Sequence, residues 1–582
     1  MEKRKSKLKY IITRVLVVLL ILASSLTILF DVPGSFQDKI DNDLRTEKKH
    51  LNITSASYSD HINSQQNFRC EDKILIWAKA SPTLSSLKKL KGHLSIGLLN
   101  FWNGNPEKWQ PLTGGDRPSH FPLQTVDSNL QWSQLFPEWI DEEEEWSSPR
   151  CPHIPMPIFR EGLRLDMVIA RVPCLGSGEA RLRDVSRLQL LLAAAHIAIQ
   201  TGLRSMYVLV FSECRPIPNL FICGELREHH GDIWLYRVDL KRLRRKLELP
   251  VGSCELAVQL KGEESTPTAR GRAKREAYVT ILHTGDDYVC GAIALAQSIR
   301  LSGSRRDLIV LVDDRVKAHQ KRGLKDAGWK VREIERVKNP NADPTAYNRW
   351  NYSKFRLWQL TDYHKVIFLD ADLLVLRNLD FLFSLPEISA TGNHMNLFNS
   401  GVMVIEPSNC TFKMLMELVG KIESYNGGDQ GFLNEVYTWW HRLPKHVNFL
   451  KHFWSNELEE VELKVNLFAA EPPILYVIHY LGIKPWLCYR DYDCNWNQKK
   501  LHEYASDVAH ARWWKVHDSM PEALQKQCLL SSKQKEALEL DRQLAEADNY
   551  EDGHWNIGIK DPRLWMCSES PCSRNASLEI LS

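Results

Sequence analysis

The sequence predicts an α/β protein built around a mostly parallel sheet that is covered on both faces. Short apolar runs alternate with helix-like segments from about residue 275 onward. The expected strands are Tyr278–Leu282, Leu308–Val312 and Val366–Leu369, and the expected helices are Gly291–Leu301 and Lys354–Leu360. These strands are apolar throughout, which is typical of strands buried on both faces. The length of 582 residues, with 43% hydrophobic and 25% charged side chains, is enough for about two to four ordinary globular domains.

The N-terminus predicts a membrane anchor. Its basic residues are Lys3, Arg4, Lys5, Lys7 and Lys9. They precede an apolar stretch that we interpret as a transmembrane segment at 11–30, because about 20 residues at ~1.5 Å each span a bilayer. The positive flank predicts a cytosolic tail at 1–10 and a lumenal remainder, which is a single-pass type II topology. A cleaved signal peptide, with a cut near Ala23-Ser24-Ser25, is the alternative.

Other features agree with a lumenal chain. The sequons for N-glycosylation are Asn52, Asn351, Asn409 and Asn575. Some of the 13 cysteines are expected to pair in an oxidising lumen, although their spacing does not give the connectivity. No C-x-x-C pattern is present, so nothing predicts a structural zinc site. The net charge of +3, from 75 basic and 72 acidic residues, gives no reason to expect nucleic-acid binding.

Composition divides the lumenal part into four segments. The expected boundaries are 31–68 for a polar stem, 69–270 for an N-terminal lumenal domain, 275–500 for the main α/β domain and 501–582 for a C-terminal extension. In the N-terminal domain we expect strands at Lys73–Trp77, Met206–Phe211 and Asp232–Val238 and a helix at Leu188–Gln200. We find no catalytic constellation there. The extension is expected to contain an exposed helix at Gln534–Ala547.

Asp370 and Asp372 are the most informative residues of the main domain. They follow the apolar run Val366–Leu369 directly, and a second apolar run begins at Leu373. Residues two apart in an extended chain point to the same side, so both carboxylates face one point at the strand's end, where open α/β sheets place ligands. A hard divalent cation would remove their mutual repulsion and could bridge to a phosphate. A solvated acidic turn is the alternative for this pattern alone.

Four further stretches could join the pair of aspartates in one cleft. They are His283–Tyr288, Phe398–Val404, Tyr425–Gly431, which precedes a helical run expected at Phe432–Trp440, and His479–Trp486, which follows a strand expected at Ile474–Ile478. Taken alone, each could be an ordinary turn or helix cap. The last stretch contains the imidazole of His479, which can be a third cation ligand, and the ammonium of Lys484, which can neutralise a phosphate.

The order of D-A-D, N-S-G, G-G-D-Q and H-x-x-G…K-P-W resembles the family 8 glycosyltransferases, the family that includes glycogenin. The resemblance runs from about Tyr278 to Trp486. It implies a GT-A fold, which is a nucleotide-sugar-binding α/β sheet, with the N-terminal α/β region and the membrane anchor as additions. It also implies a reaction that retains anomeric configuration and uses Mn²⁺ with a nucleotide sugar.

The resemblance assigns roles to residues of this chain. Asp370, Asp372 and His479 match the metal ligands, and Asp429 and Gln430 match the catalytic residues beneath the anomeric carbon. The residues that match donor-binding positions are Thr284, Tyr288, Lys354, Asp370, Ala371, Asp372, Asn399, Ser400, Gly401, Asn426, Gly482 and Lys484. In this set, Thr284 and Tyr288 belong to the uridine side, Lys354 contacts donor phosphate or sugar, and Gly482 and Lys484 clamp the diphosphate.

The chain also departs from glycogenin. Asn426 stands where glycogenins usually have Asp, the loop before Tyr288 is one residue longer, and the gap from Gly482 to Lys484 is one residue shorter. Residues 451–475 contain no tyrosine, which argues against self-glucosylation. The anchor, the extra N-terminal region and the stretch Lys484–Cys494 resemble the plant xylan α-glucuronosyltransferase branch. That resemblance implies UDP-glucuronate as donor, xylan as acceptor and a Golgi membrane location with the catalytic domain in the lumen.

The expected reaction is therefore transfer of glucuronate to the xylan backbone as an α-linked branch. Same-face attack by the acceptor needs no side-chain base, whereas a covalent intermediate would use Asp429 or Gln430. Arg349 or Arg377 could bind the glucuronate carboxylate. The alternatives are the same fold using UDP-glucose or UDP-galactose, glucuronyl transfer to a sphingolipid, and a non-catalytic glycan-binding scaffold. The sequence leaves homo-oligomerisation open.

Overall fold

The structure is a computed structural model that describes residues 59–566 apart from 102–105, 136–151, 159, 161, 175–181, 204, 249–274, 283–286, 395 and 455–457. The predicted tail at 1–10, the predicted anchor at 11–30 and most of the predicted stem at 31–68 lie outside the described residues, and so does Thr284. In the part of the chain that is described, no helix combines the length and the apolar character needed to cross a bilayer.

The α-helices are α1 (Ser59–Ala80), α2 (Pro82–Lys91), α3 (Gln110–Thr113), α4 (Val185–Thr201), α5 (Leu240–Glu248), α6 (Val289–Leu301), α7 (Ala318–Asp326), α8 (Asn409–Leu418), α9 (Asp429–Val436), α10 (Leu458–Ala469), α11 (Asp507–Ser519), α12 (Glu522–Gln525) and α13 (Ser532–Asp548). The strands are β1 (Ile96–Leu99), β2 (Ser119–Phe121), β3 (Met167–Arg171), β4 (Ser205–Phe211), β5 (Leu226–His230), β6 (Ile233–Asp239), β7 (Glu276–Leu282), β8 (Asp307–Val312), β9 (Lys330–Glu333), β10 (Lys365–Leu369), β11 (Leu373–Val375), β12 (Ser389–His394), β13 (Leu397–Phe398), β14 (Val402–Ile405), β15 (His441–Leu443), β16 (Phe449–Leu450) and β17 (Val477–His479).

The N-terminal region folds around a six-stranded sheet in the order β2-β1-β3-β4-β6-β5. Strands β1 to β4 run parallel, and β6 runs antiparallel to both β4 and β5. The predicted strands Met206–Phe211 and Asp232–Val238 are confirmed as β4 and β6, and the predicted helix Leu188–Gln200 is confirmed as α4. Helix α4 begins at Val185 because the Asp184 side chain caps it by accepting a hydrogen bond from a backbone N–H of the first turn.

The prediction of a strand at Lys73–Trp77 is wrong, because these residues lie in α1. Ile74 and Trp77, which are three residues apart, are buried, while Ile76 is 69% exposed. A spacing of three or four residues is helical, whereas a strand buries every second residue on one face. The apolar character of the short run conceals this spacing, so composition alone favoured the wrong element.

The main domain is built on a five-stranded sheet in the order β14-β10-β7-β8-β9. Strands β10, β7, β8 and β9 are parallel and β14 is antiparallel, which confirms the predicted mostly parallel sheet. The predicted strands at Tyr278, Leu308 and Val366 correspond to β7, β8 and β10, and the predicted helix at Gly291 corresponds to α6. Two further sheets, β11-β17-β16 and β13-β12-β15, complete the described part of this domain.

Three predicted elements differ in type or extent. Lys354–Leu360 belongs to a 3₁₀ helix at Tyr347–Gln359 rather than to an α-helix. The helical run expected at Phe432–Trp440 is α9, which already ends at Val436. The strand expected at Ile474–Ile478 is restricted to β17. An apolar run marks burial but does not show where the backbone hydrogen-bond pattern of an element stops.

Disulfides and an ion pair join the N-terminal region, the main domain and the C-terminal extension. The disulfides of the described residues are Cys174–Cys214, Cys223–Cys410, Cys290–Cys528 and Cys488–Cys494. Cys223–Cys410 ties the N-terminal region to the main domain, and Arg183 adds a bidentate ion pair with Glu435 at 2.8 and 2.7 Å. Cys290–Cys528 ties α6 to the C-terminal extension. The extension is therefore packed on the main domain, and its predicted helix is confirmed as α13.

The four sequons differ in accessibility. Asn52 and Asn575 lie outside the described residues. Asn351 is 8% exposed and Ser353 of the same sequon is fully buried, so the folded chain has no room for a glycan there. Asn409 is exposed as the first residue of α8. Of the two described sequons, only the one at Asn409 is placed where a glycan fits.

Candidate active site

The predicted metal ligands Asp370, Asp372 and His479 come together at the carboxyl end of β10. One ligand atom of each residue lies within 4.8 Å of the other two. Strand β11 pairs antiparallel with β17 in a register that sets Leu373 opposite His479. This pairing carries the imidazole to the two carboxylates, and His479 Nε2 lies 3.5 Å from Asp372 Oδ1. The geometry is that of a cation site, while the role of each residue as a ligand stays a prediction.

Lys354 is a buried cation beside this cluster, as the sequence predicts for a donor-binding residue. Its Nζ lies 2.6 Å from Asp429 Oδ2 and 3.4 Å from Asp370 Oδ1, and it donates a 3.2 Å hydrogen bond to Ser400 Oγ. Burial by itself lowers the pKa of Lys354, but the two carboxylates outweigh it and raise the pKa above its ordinary value. The ammonium is therefore held charged between the metal cluster and the residues assigned to the reacting carbon.

Lys484 pairs with Asp372, the second aspartate of the cluster. Its Nζ is 2.7 Å from Asp372 Oδ2 and donates a 2.5 Å hydrogen bond to the Tyr480 carbonyl oxygen. The preceding Gly482 has φ +72°, and a Cβ there would lie 2.4 Å from Asn495 Oδ1, so only glycine fits. Asn495 also accepts a 2.7 Å hydrogen bond from the Ile483 N–H, which fixes the loop that presents Lys484.

The electrostatics of the two aspartates are unequal. Burial, opposed by Lys354, raises the pKa of Asp370 to about 6, and the neighbouring Asp372 adds to the rise. Burial acts on Asp372 in the same direction, but Lys484 and His479 outweigh it and hold the pKa of Asp372 well below its usual range. The two directions mean that nearby positive charge compensates the Asp370 carboxylate less fully than the Asp372 carboxylate. Two carboxylates and an imidazole are a donor set that fits a divalent cation.

The predicted Asn399–Gly401 turn supports the cluster through a residue that the sequence did not reveal. Asn399 Oδ1 accepts hydrogen bonds from the Gly401 N–H at 2.8 Å and from Asn448 Nδ2 at 2.9 Å. Asn448 Oδ1 in turn lies 3.1 Å from His479 Nδ1. Asn448 therefore fixes the imidazole so that Nε2 faces the carboxylates. Gly401 is required here, because a Cβ would lie 2.8 Å from the His479 ring.

Asp429 and Gln430, the predicted catalytic residues, begin helix α9 and face Ser400. Asp429 Oδ2 accepts a 3.0 Å hydrogen bond from Ser400 Oγ, and Gln430 Oε1 accepts a 3.1 Å hydrogen bond from the Ser400 N–H. Asn426 has a local role in the same loop. Its Oδ1 accepts hydrogen bonds from Ser424 Oγ and from the N–H groups of Gly428 and Gly431, all at 3.0 Å. Its carbonyl oxygen is thus used to shape the loop that starts α9.

The predicted uridine side is described in part, because Thr284 lies outside the described residues. The Tyr288 ring packs edge-on against Trp486 at 5.9 Å, and burial together with Asp372 and Asp370 raises its pKa well above the ordinary value. Trp486 Nε1 donates a 2.7 Å hydrogen bond to the Asp287 carbonyl oxygen. Ala371 is buried between the two aspartates. Trp486 therefore braces the loop that carries Tyr288.

The two arginines considered for the glucuronate carboxylate make other contacts. Arg377 donates a 3.0 Å hydrogen bond to the Ile474 carbonyl oxygen and stacks on Tyr476. Arg349 donates a 2.7 Å hydrogen bond to the Pro344 carbonyl oxygen and lies 5.0 Å from the Trp350 ring centroid. Arg349 Nε is buried without a hydrogen-bond partner. These contacts do not identify either arginine as the one that binds the glucuronate carboxylate.

Two regions of the chain match known protein families. Residues 67–254 match the model described as the GUX1-5 N-terminal domain, and residues 279–393 match glycosyl transferase family 8. The GT-A-like sheet and the Asp-Asp-His cluster at its carboxyl edge agree with the second match. Fold and site together define a glycosyltransferase of family 8.

Curated relatives narrow this class. The chain is 54% identical to UDP-glucuronate:xylan alpha-glucuronosyltransferase 1 of Arabidopsis thaliana, over 86% of this chain and 76% of the relative. It is 50% identical to UDP-glucuronate:xylan alpha-glucuronosyltransferase 2 of the same plant, over 81% of each. Human glycogenin-1 is more distant, at 31% identity over 41% of this chain and 71% of that protein. The chain therefore belongs to the UDP-glucuronate:xylan alpha-glucuronosyltransferase family, as the resemblance implied.

Proposed function

We propose that this protein transfers glucuronate from UDP-glucuronate to the xylan backbone, as an α-linked branch and with retention of anomeric configuration. The observation that carries the proposal is the Asp370, Asp372 and His479 cluster flanked by Lys354 and Lys484. A departing UDP carries negative charge that these groups can receive. The names of the Arabidopsis relatives support the choice of donor and acceptor.

The metal cluster is proposed to bind Mn²⁺. Asp370, Asp372 and His479 would hold the ion, which when bound supplies positive charge to the diphosphate as a Lewis acid. Lys484 is placed to exchange its contact with Asp372 for a contact with phosphate oxygen, because the same Nζ can serve either anion. The two lysines keep fixed positive charge beside the leaving group throughout the reaction.

The contacts of Asp429 and Gln430 favour same-face attack. Asp429 Oδ2 is already bound by Lys354 at 2.6 Å and by Ser400 at 3.0 Å, which lowers its strength as a nucleophile. Gln430 Oε1 is similarly engaged by the Ser400 N–H. In the proposed reaction the bond from the anomeric carbon to the diphosphate oxygen breaks, and its electron pair stays on UDP. A xylose hydroxyl oxygen bonds to the same face of that carbon, and its proton passes to the leaving phosphate oxygen.

A donor competition assay tests the proposal. The full-length chain is incubated with Mn²⁺, xylohexaose and an equal mixture of UDP-glucuronate, UDP-glucose and UDP-galactose, and the products are identified by mass spectrometry. We expect a glucuronate-bearing hexaose with an α-linkage by NMR. Transfer of a different sugar, or transfer of glucuronate only when a sphingolipid acceptor is added, would contradict the proposed specificity.

We propose in addition that the chain is a type II protein of the Golgi membrane, anchored through 11–30 with the catalytic domain in the lumen. The support is the basic flank before an apolar stretch whose residues 15–30 carry no charge. Protease protection of a C-terminally tagged chain in sealed microsomes tests the topology, and co-localisation with a Golgi marker tests the compartment. Digestion of the tag in intact vesicles would exclude a lumenal catalytic domain.

A further inference from the structure

Two exposed aromatic side chains belong to chain segments that contact the active site. In the part of the chain that the structure describes, the exposed aromatic side chains are Tyr347, Tyr425, Trp454 and Trp565. Tyr425 and Trp454 both belong to segments that contact active-site residues. Tyr and Trp combine a large apolar ring with one polar group, and they are enriched at binding surfaces for that reason.

Trp454 follows the strand that lies beside the metal cluster. Strand β16 pairs parallel with β17, and the Lys451 N–H donates a 2.8 Å hydrogen bond to the backbone oxygen of His479. Asn448, which orients the His479 ring, immediately precedes β16. Three residues beyond Lys451, the Trp454 side chain is 65% exposed. The exposed indole is therefore only three residues along the chain from a residue that is hydrogen-bonded to the backbone of His479.

Glu460 and His452 contact Trp454, the first through its backbone and the second through its ring. Its N–H donates a 2.9 Å hydrogen bond to Glu460 Oε1, and Glu460 pairs with Lys464 at 2.5 Å. Lys464 is buried and also donates a 2.8 Å hydrogen bond to the His452 carbonyl oxygen. The His452 ring packs edge-on against the indole at 4.2 Å. The backbone at Trp454 is therefore held, and its ring is supported on one side by His452 before any ligand arrives, which reduces the entropy lost on binding.

Tyr425, in the loop before α9, contacts Gln430, one of the two predicted catalytic residues. Its Oη accepts a 2.8 Å hydrogen bond from Gln430 Nε2, and Gln430 Oε1 accepts from the Ser400 N–H. The side chain is 36% exposed. The hydroxyl of this ring is thus bonded to a residue that the family resemblance assigns to the anomeric carbon, while part of the ring faces solvent.

We propose that Tyr425 and Trp454 form an acceptor-binding surface on which xylose units of an extended xylan chain stack, which rests on the proposed function. Tyr425 would contact a unit near the reacting hydroxyl, and Trp454 a unit further along. A pyranose ring presents an apolar face of C–H groups and a polar rim of hydroxyls. The Tyr425 ring, whose hydroxyl is already hydrogen-bonded, and the exposed indole of Trp454 both offer an apolar face to such a ring.

The test compares Trp454→Ala with Trp454→Phe and with Trp565→Ala, all in the full-length chain. Trp565 is a matched control because it is 76% exposed and lies in the C-terminal extension, beyond α13. We expect Trp454→Ala to raise the KM for xylohexaose about tenfold while the KM for UDP-glucuronate stays unchanged. The effect should shrink for xylotriose, Trp454→Phe should recover much of the binding, and Trp565→Ala should match the wild type.

Tyr425 is tested in the same way with Tyr425→Ala and Tyr425→Phe. Because the phenylalanine keeps the ring and loses only the hydroxyl, it should retain more xylohexaose affinity than the alanine. Equal KM values for Trp454→Ala, Trp565→Ala and the wild type, in chains with unchanged thermal unfolding, would overturn the proposal and leave the proposed function intact.

Sedimentation with insoluble xylan separates the two possible failures. If the wild type sediments with xylan but transfers no glucuronate, the proposed function fails, and loss of sedimentation in Trp454→Ala still supports the aromatic surface. If the wild type transfers glucuronate and Trp454→Ala sediments as well as the wild type, the aromatic surface is refuted. If the wild type neither sediments nor transfers, both are refuted.

Discussion

The two large sheets of this chain share an architecture and differ at their carboxyl ends. Both have a parallel centre with an antiparallel strand towards one edge. In the main sheet, Asp370 and Asp372 follow β10, with the buried Lys354 on one side of them and the half-buried Lys484 on the other. In the N-terminal sheet, β3 and β4 lead to Cys174 and Cys214, which form a disulfide. That end is closed further by a 3.0 Å hydrogen bond from Trp234 Nε1 to the Ser212 carbonyl oxygen.

This comparison indicates that the side chains at the carboxyl end of a sheet, rather than the order of its strands, determine whether that end is an active site. Among the described residues, the one group of carboxylate and imidazole side chains able to hold a cation is at the main sheet. Charges gathered there cost desolvation energy that a purely structural edge avoids. The N-terminal edge is cross-linked by a disulfide and, among the described residues, carries no comparable group of carboxylate and imidazole side chains. We therefore expect changes at one edge to affect turnover and changes at the other to affect stability.

The largest expected effect is loss of turnover in Asp372→Ala. This change removes a proposed cation ligand and the partner of Lys484 Nζ at 2.7 Å. Glucuronate transfer should fall about 10³-fold or more, because the charge on the departing diphosphate is no longer neutralised. Steady-state kinetics with UDP-glucuronate and xylohexaose measure this.

Asp232→Asn is the matched control at the other sheet. The backbone oxygen of Asp232 accepts a hydrogen bond from the Ser212 N–H beyond the end of β4, and its side chain pairs with the exposed Lys73 at 2.9 Å. This variant should keep wild-type kcat, since surface pairs contribute little. Similar losses in both variants would contradict the division between a catalytic and a structural edge.

Lys354→Met should reduce stability and activity together. It leaves Asp370 and Asp429 without the buried ammonium that lies 3.4 and 2.6 Å from them. Removing one member of a buried ion pair costs about 3–5 kcal/mol. Thermal unfolding with increasing Mn²⁺ measures this, and Mn²⁺ should restore part of the lost Tm by supplying positive charge to the same carboxylates. Lys73→Met is the control, and an equal fall in its Tm would refute the explanation.

The double change Cys174→Ser and Cys214→Ser should affect stability alone. The bridge spans a sequence separation of 40 residues, and removing such a bridge typically costs about 2–4 kcal/mol. Chemical unfolding measures the loss. The kcat per folded molecule should stay at the wild-type value. A large loss of kcat in protein shown to be folded by circular dichroism would mean that the N-terminal edge takes part in the reaction.

The sequence revealed the charged centre of the site better than its neutral supports. Asp370 and Asp372 stand directly after an apolar strand, and His479 follows another, so strand patterns locate all three. Asn448 escaped notice because it is one neutral amide whose importance depends on the pairing of β16 with β17. The capping role of Asn426 was hidden for a similar reason, since its hydrogen bonds run to backbone N–H groups. Sheet register and local hydrogen bonds are tertiary facts that one sequence does not encode visibly.

The smallest expected effect is a pH dependence of stability. It arises from His510, a buried residue of α11. Burial lowers the pKa of His510 to about 3, although Asp493, 3.6 Å away, opposes the fall. The unfolded chain binds a proton at this position below about pH 6.5, and the folded chain does not. Stability from the neutral imidazole is therefore complete above pH 6.5 and is lost as pH falls from 6.5 towards 3. The slope approaches about 1.4 kcal/mol per pH unit.

His510→Asn removes this proton uptake. The Tm of the wild type should fall more between pH 7.5 and pH 5 than the Tm of the variant, as measured by differential scanning fluorimetry. Because His510 lies in the extension and makes no bond to the metal cluster, the kcat at pH 7.5 should change little in molecules that remain folded. Parallel Tm profiles for the two proteins would show that His510 is not the source of acid sensitivity. In that case the acid sensitivity would come from other groups, such as the carboxylates at the end of β10 that distinguish the main sheet from the N-terminal sheet.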